Sequence, residues 1–223
     1  MQFERFESVD FVTRNPERVR LARFARTKRR VDIGLTLCLA PLAIVIVAPL
    51  WCVLKSQGGS GFYGHRRVGR DGYEFTCWKL RTMVPDSEAV LRNHLRFNQA
   101  AAREWAHHYK LRNDPRVTRF GRFLRKSSLD ELPQLWNVLR GDMSLVGPRP
   151  VPRDELVEYH GNLRAYLALR PGITGLWQVS GRNAVAYQDR VSLDLEYARR
   201  ASLWFDLAIL LRTIGVLLRR TGI

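Results

Sequence analysis

The residues best suited to chemistry are the adjacent carboxylates Asp130 and Glu131, within Ser127-Ser-Leu-Asp-Glu-Leu-Pro-Gln-Leu-Trp136, and the nearby Gly147-Pro-Arg-Pro150. Two neighbouring carboxylates repel a diphosphate unless a divalent cation lies between them. Mg²⁺ suits that place, because it is held by one or two carboxylates together with substrate phosphates. Arginines match phosphate oxygens with their planar forks. Arg125 lies about one turn before the pair, and Arg149 stands between two prolines that restrict the backbone to extended geometry. The pair also has a structural reading. Ser128 to Glu131 fits a capping box, with Ser128 as N-cap and Glu131 at the third helical position, and Pro133 is tolerated in a first turn. Taken alone the segment favours that reading; the arginines shift the balance toward phosphate chemistry.

A third block is Arg170-Pro-Gly-Ile-Thr-Gly-Leu-Trp-Gln-Val-Ser-Gly-Arg182. Pro171-Gly172 reads as a tight turn, and Gly175 and Gly181 allow close backbone approach. Trp177, Gln178 and Arg182 could contact a nucleotide. There is no Walker A motif, no Rossmann glycine fingerprint and no Ser-His-Asp arrangement.

The elements that must position these groups are readable in outline. Of 223 residues 46% are apolar, and 37 Lys and Arg against 21 acids give a formal charge of +16. That balance favours polyanionic partners: nucleic acid, anionic lipid or phosphorylated small molecules. Cys38, Cys52 and Cys77 form neither a disulfide framework nor a zinc pattern. Residues 1–30 are basic with scattered aromatics, suiting an interfacial helix. From Ile33 to Leu54 the chain is uncharged and long enough to cross a bilayer. Pro41 and Pro49 lie inside it, and basic residues flank both ends, which predicts a kinked helical hairpin that enters and leaves on the same side.

Phe62 to Val68 and Tyr73 to Leu80 read as a hairpin turning at Asp71-Gly72. The stretch from Asp86 to about Lys110 reads as a polar helix with His94, His107 and His108 on its surface. Arg116, Arg119, Arg122, Arg125 and Lys126 follow the turn at Asn113-Asp114-Pro115 and predict a basic helical stripe. Near the end, Leu203, Leu207, Leu210, Leu211, Ile214, Leu217 and Leu218 form one apolar helix face, with Asp206, Thr213 and Arg220 opposite. That face packs in the core or on a membrane surface.

These blocks resemble the bacterial sugar transferase family, the monotopic phosphoglycosyl transferases. The resemblance runs from about Val31 to Thr213 and includes Phe62–Gly69, Lys79-Leu-Arg-Thr-Met83, Asp114–Arg119, Gly121–Arg125, Ser128–Gln134, Gly141–Pro150, Arg170–Gly175 and Gln178–Arg182 in order. It implies transfer of a sugar 1-phosphate, galactose or glucose, from a UDP-sugar to undecaprenyl phosphate, with release of UMP and use of Mg²⁺. Enzymes that begin exopolysaccharide synthesis with galactose 1-phosphate are the nearest in pattern. On this resemblance Asp130 is the nucleophile of a phospho-sugar aspartyl intermediate. Glu131 helps hold Mg²⁺ together with Asp130, Arg125 and Arg149 bind phosphate oxygens, and Lys79 and Arg81 are further site residues.

The implied fold is α/β but mainly helical, with a small β-hairpin, a re-entrant membrane helix and amphipathic interfacial helices. The expected division is a basic segment 1–30, a membrane helix 31–55 and a catalytic domain 56–223 on the cytoplasmic face of the bacterial inner membrane. The compact form of the family is expected, with a homo-oligomer as an open arrangement. The family carries Ser-Pro at the bend, where this chain has Ala40-Pro41 and Ala48-Pro49, so the bend falls at either proline. Other readings are a membrane-tethered nucleic-acid binder, disfavoured by the lack of any nucleic-acid module, and an inactive assembly scaffold, disfavoured by the intact Asp-Glu pair.

Overall fold

The computed structural model describes residues 16–108, 111, 113–181 and 186–218, without the side chains of 16–23 and 107–108. Arg182 and Arg220, the aromatics of the first 15 residues and the side chains of His107 and His108 therefore lie outside the described set. The described residues are mainly helical, with two small two-stranded sheets among them.

Helix α1 runs from Pro16 to Ser56. Proline is favoured in a first helical turn, where its missing N–H has no partner to lose. Pro41 and Pro49 both lie inside this one continuous helix. Each removes a single donor, and the surrounding apolar run leaves the helix as the best way to satisfy the remaining backbone. The middle of α1 is exposed, with Leu42, Ile44 and Val45 at 60, 66 and 71%. Each end makes contacts with the rest of the domain. Near the start, Lys28 pairs with Asp206 at 2.6 Å, Arg29 donates to the carbonyls of Val138 and Leu139, and the buried Asp32 accepts from Ser144 Oγ at 2.8 Å and Leu145 N at 3.1 Å. Near the end, Leu54 packs in a buried cluster with Leu80 and Leu124.

Strands β1 (Phe62–Val68) and β2 (Glu74–Leu80) form the expected antiparallel hairpin. Asp71 adopts the left-handed region at the turn, φ 58°. The register puts Tyr63, His65 and Arg67 on the same face as Lys79, Cys77 and Phe75. The polar stretch after β2 is two helices rather than one, α2 (Ser87–Phe97) and α3 (Gln99–His108), because Asn98 is extended and caps α3 with its Oδ1.

The basic stripe is also corrected. In α4 (Arg119–Ser127), Arg119, Arg122 and Lys126 are exposed, whereas Arg125 turns inward beside buried Leu124. Arg116 precedes the helix and pairs with Asp114 at 2.6 Å. Thr118 caps α4 through its Oγ1. Gly121 lets the helix lie on β2's extension: a Cβ there would stand 2.0 Å from the Thr82 carbonyl oxygen.

After α5 (Gln134–Arg140), strand β3 (Ser144–Val146) pairs in parallel with β4 (Gly172–Thr174), an element the sequence did not suggest. The connection contains a 3₁₀ segment (Arg153–Asn162) and α6 (Leu163–Leu167). Three glycines make the pairing this close. A Cβ on Gly172 would meet the Gly147 nitrogen at 2.1 Å, and one on Gly175 the Gly147 oxygen at 2.1 Å. The third block is thus first a packing device. Helices α7 (Leu176–Val179), α8 (Tyr187–Arg200) and α9 (Leu203–Leu218) complete the domain.

Helix α9 turns Asp206 and Thr213 inward beside Phe205, Ile209 and Leu210, so Leu210 of the predicted leucine face packs against the core. Asp206 is buried, accepting from Tyr197 OH at 2.7 Å as well as pairing with Lys28, and Thr213 bonds Thr174 at 2.8 Å. Leu211, Ile214 and Leu218 face outward at 62, 56 and 78% exposure. Of the two alternatives for the leucine face, core packing is excluded for these residues.

Asn137 joins the hairpin to α5. It is fully buried, accepts from Trp78 N at 3.0 Å and donates to the Thr76 carbonyl at 2.8 Å. Replacing it with alanine leaves buried backbone groups unpaired and should cost about 2–4 kcal/mol. A lower thermal midpoint of the detergent-solubilised Asn137→Ala protein, at unchanged helical circular dichroism, is the expected outcome.

Candidate active site

Asp130 and Glu131 do not open a helix. They sit in a 3₁₀ turn (Leu129–Glu131) between α4 and α5, and α5 begins only at Gln134. The capping box is absent: Ser128 is the C-cap of α4, in the left-handed region at φ 56°, and makes no side-chain cap bond. A left-handed serine costs free energy that surrounding contacts must offset. Its effect is to reverse the chain sharply, so that Asp130 turns inward and is only 7% exposed.

Two cations face this turn. Lys79, at the end of β2, pairs with Glu131 at 2.6 Å. Arg125 points inward from α4, its Nε fixed on Thr82 Oγ1 at 2.9 Å. Burial raises the Asp130 carboxyl to about 6; the charge of Glu131 adds to the rise, while Lys79 and Arg125 oppose it. Burial alone would lower Lys79, but Glu131 and Asp130 outweigh it and leave the ammonium more firmly protonated. Burial lowers Arg125 against the pull of Asp130 and Asp114. The turn therefore presents one desolvated carboxylate that titrates near neutrality and a neighbour held by a lysine.

The remaining expected residues divide. Arg81 is turned away from the pair: Nη2 donates to the Leu54 carbonyl at 2.7 Å and Nη1 to that of Gly58, so it caps the C-terminal end of α1. Arg149 lies over the Trp177 ring at 5.6 Å, and Arg190 lies over the same ring at 5.4 Å. The Arg149 backbone is held on both sides: its N–H donates to Asp194 and its carbonyl accepts from Tyr166 OH at 2.8 Å. Burial raises the Asp194 carboxyl to about 7, against the bonds from Tyr159 and Arg149 that favour its charge. Gln178 donates from Nε2 to the Ile173 carbonyl at 3.5 Å. The structure thus brings Lys79, Arg125, Asp130 and Glu131 together, and sets Arg149, Trp177 and Gln178 in a second group. Sequence reasoning missed Arg190, Asp194 and Arg67. Strand alternation alone places Arg67 on the Lys79 face; no local signal marks the other two.

Among the described residues no cluster of three or more side chains could cage a metal. Two adjacent carboxylates, one already paired with lysine, would suit only a magnesium ion that drew most of its ligands from substrate phosphates and water.

The family profile described as bacterial sugar transferase matches residues 23–220. The chain is 52% identical over 195 residues to the UDP-galactose-lipid carrier transferase of Erwinia amylovora, covering 87% of this chain and 41% of that protein. It is 51% identical over 195 residues to the undecaprenyl-phosphate galactose phosphotransferase of Salmonella typhimurium, with the same coverage of 87% and 41%. It is 49% identical over 193 residues to the exopolysaccharide production protein ExoY of Sinorhizobium fredii, covering 84% of each. The chain belongs to the bacterial sugar transferase family. It spans 41% of the length of the first two relatives and most of the third.

The raised Asp130 carboxyl makes a stability prediction. The folded state holds this proton above the ordinary carboxylate value of 3.8 and up to about 6, so it binds more protons than the unfolded state across that window and loses stability as pH rises through it. Asp130→Asn removes the penalty. Its thermal midpoint relative to wild type should climb between those pH values and level off above them, with a gain of about 1–3 kcal/mol at pH 7. A difference independent of pH would contradict the burial of an ionising carboxyl here.

Proposed function

We propose that this protein is a phosphoglycosyl transferase that moves a sugar 1-phosphate from a UDP-sugar to undecaprenyl phosphate, the first membrane step of an exopolysaccharide pathway. The observation that carries the reading is Asp130: a desolvated carboxylate, titrating near neutrality, flanked by Lys79 and Arg125. The names of the relatives support a galactosyl donor and a polyprenyl phosphate acceptor.

The chemistry follows from these positions. An Asp130 oxygen attacks the sugar-bearing phosphorus of the donor. The bond from that phosphorus to the oxygen bridging the two phosphates breaks, and the electron pair leaves with UMP. An acyl phosphate linked to the sugar remains on Asp130. A phosphate oxygen of the lipid acceptor then attacks the same phosphorus and returns the carboxylate. Burial strips water from the Asp130 nucleophile, while Arg125 and Lys79 face charge that gathers on the phosphoryl oxygens. A magnesium ion on the carboxylate pair would supply charge neutralisation for the diphosphate. Below about pH 6 Asp130 is protonated and loses its nucleophilicity, so turnover should fall on the acid side of that value.

Incubating the protein with UDP-galactose and no lipid should trap a sugar-phosphate adduct, visible by intact-protein mass spectrometry and mapped to Asp130. Asp130→Asn should abolish both adduct and UMP release, whereas Glu131→Gln should slow both and weaken the response to Mg²⁺. An adduct on Glu131, or UMP release only when both substrates are present, would refute the two-step mechanism.

Membrane association is supported by the exposed middle of α1, whose stretch Phe24–Ser56 is long and apolar enough to cross a bilayer, and by the outward leucine face of α9. A straight helix between Asp32 and Leu54 would be ~33 Å long. Yet its two ends dock on neighbouring elements, one on α5 and β3, the other on β2 and α4, and Asn137 joins α5 to β2. This supports an α1 bent at Pro41 or Pro49, with both ends and the catalytic domain on the cytoplasmic side. In intact spheroplasts, single cysteines at positions 26 and 60 of a protein freed of its native thiols should both resist an impermeant reagent and both react after lysis. Labelling of one site alone from outside would establish a full crossing.

A further inference from the structure

The hairpin face that bears Lys79 carries a second cation. Arg67 stands opposite Phe75 in the register, beside His65 and Cys77. The next residue, Val68, donates its N–H to the Val151 carbonyl at 2.9 Å, which brings the end of β1 against the Pro148–Pro150 segment. Arg67 Nη1 is buried and has no hydrogen-bond partner among the described residues. The same holds for Trp177 Nε1 and Gln178 Oε1, the ring and the neighbour of the residue on which Arg149 lies. Unpaired buried polar atoms are rare and costly, so the two beside Arg149, on Arg67 and Trp177, call for a ligand.

The electrostatics agree. Burial, and then the charge of Arg149, push the Arg67 guanidinium below its ordinary value. The carboxylates nearby do not offset this fully. Glu155 already accepts from Tyr187 OH at 2.6 Å, and Asp194 is committed to Tyr159 OH at 2.8 Å and to the Arg149 backbone. An anion between the two guanidiniums would satisfy the open donors and relieve their repulsion.

We infer that Arg67 is an anion-binding residue which, with Arg149 and Trp177, holds the nucleoside end of a nucleoside diphosphate donor while Lys79 and the carboxylate pair take its reacting phosphate. This rests on the donor reading given above. Along β2, Lys79 lies four residues from Phe75, opposite which Arg67 stands; at strand rise that is ~13 Å, a span that long cationic side chains narrow to the length of a nucleotide diphosphate. Trp177, its ring already flanked by Arg149 and Arg190, adds a buried N–H donor.

The test is UDP binding by calorimetry to the detergent-solubilised full-length chain, alongside UMP-release kinetics, for wild type, Arg67→Gln, Arg67→Lys and Trp177→Phe. Arg67→Gln should weaken UDP binding about tenfold or more, and raise KM for the UDP-sugar with a smaller fall in kcat. Arg67→Lys should be intermediate, since an ammonium keeps the charge without the fork. Trp177→Phe, which keeps a ring and deletes the N–H, should weaken UDP about threefold or more. UDP affinity within about twofold of wild type in folded Arg67→Gln would overturn the inference. If that variant does not fold, an Arg67→Lys protein with wild-type affinity overturns it equally. A wild type that binds no UDP would sink the donor reading itself, a result distinct from any failure at Arg67.

Discussion

The side chain of Asn137 spends its hydrogen-bonding capacity on three neighbours at once. Its amide donates to Thr76 and Asp142 and accepts from Trp78, while the backbone carbonyl closes the turn through Asp142 and Met143. Because the side chain is wholly buried, each of those groups would lose a partner without gaining water if it were absent. The position of β2 relative to α5 follows from this contact, and with it the position of Lys79 relative to Glu131. The next carbonyls of α5, at Val138 and Leu139, receive Arg29 from α1. One buried amide therefore sets the geometry of the carboxylate pair and part of the seat of the apolar helix.

The charge distribution divides the basic surplus into different tasks. Arg125 and Lys79 face the carboxylates and moderate the rise that burial imposes on Asp130. Arg81 and Arg29 serve carbonyls, at the end of α1 and in α5. Arg149 and Arg190 flank an indole ring. A formal charge of +16 is thus not a uniform field; those arginines that touch carbonyls act as structural donors, and the anion-facing group is small.

The hairpin, the Asp-Glu turn and the apolar helix were legible because each rests on local chemistry: strand alternation around Asp71-Gly72, adjacent carboxylates among arginines, an uncharged run. What was not legible depends on distant partners. The capping box at Ser128 fits its own four residues, but α4 ends in a left-handed serine and that reverses the turn. Arg81 looked like a site residue by its motif, yet the open carbonyls of α1 claim it. Periodicity found the two faces of α9 but not their orientation, because Lys28, Tyr197 and Thr174 hold Asp206 and Thr213 inward. The parallel pair β3 and β4 is three residues per strand, too short for any period to reveal, and Gly147, Gly172 and Gly175 acquire their meaning only when two backbones touch.

The Lys28–Asp206 bridge joins residues 178 positions apart. A ribosome delivers the first of them, with all of α1, long before the second exists. The apolar helix must therefore find its own shelter early, while its polar root waits for α9. Docking of α9 then closes over an element already in place. On this order of events a truncated product ending before α9 would hold α1 but leave Lys28 without the carboxylate that pairs with it.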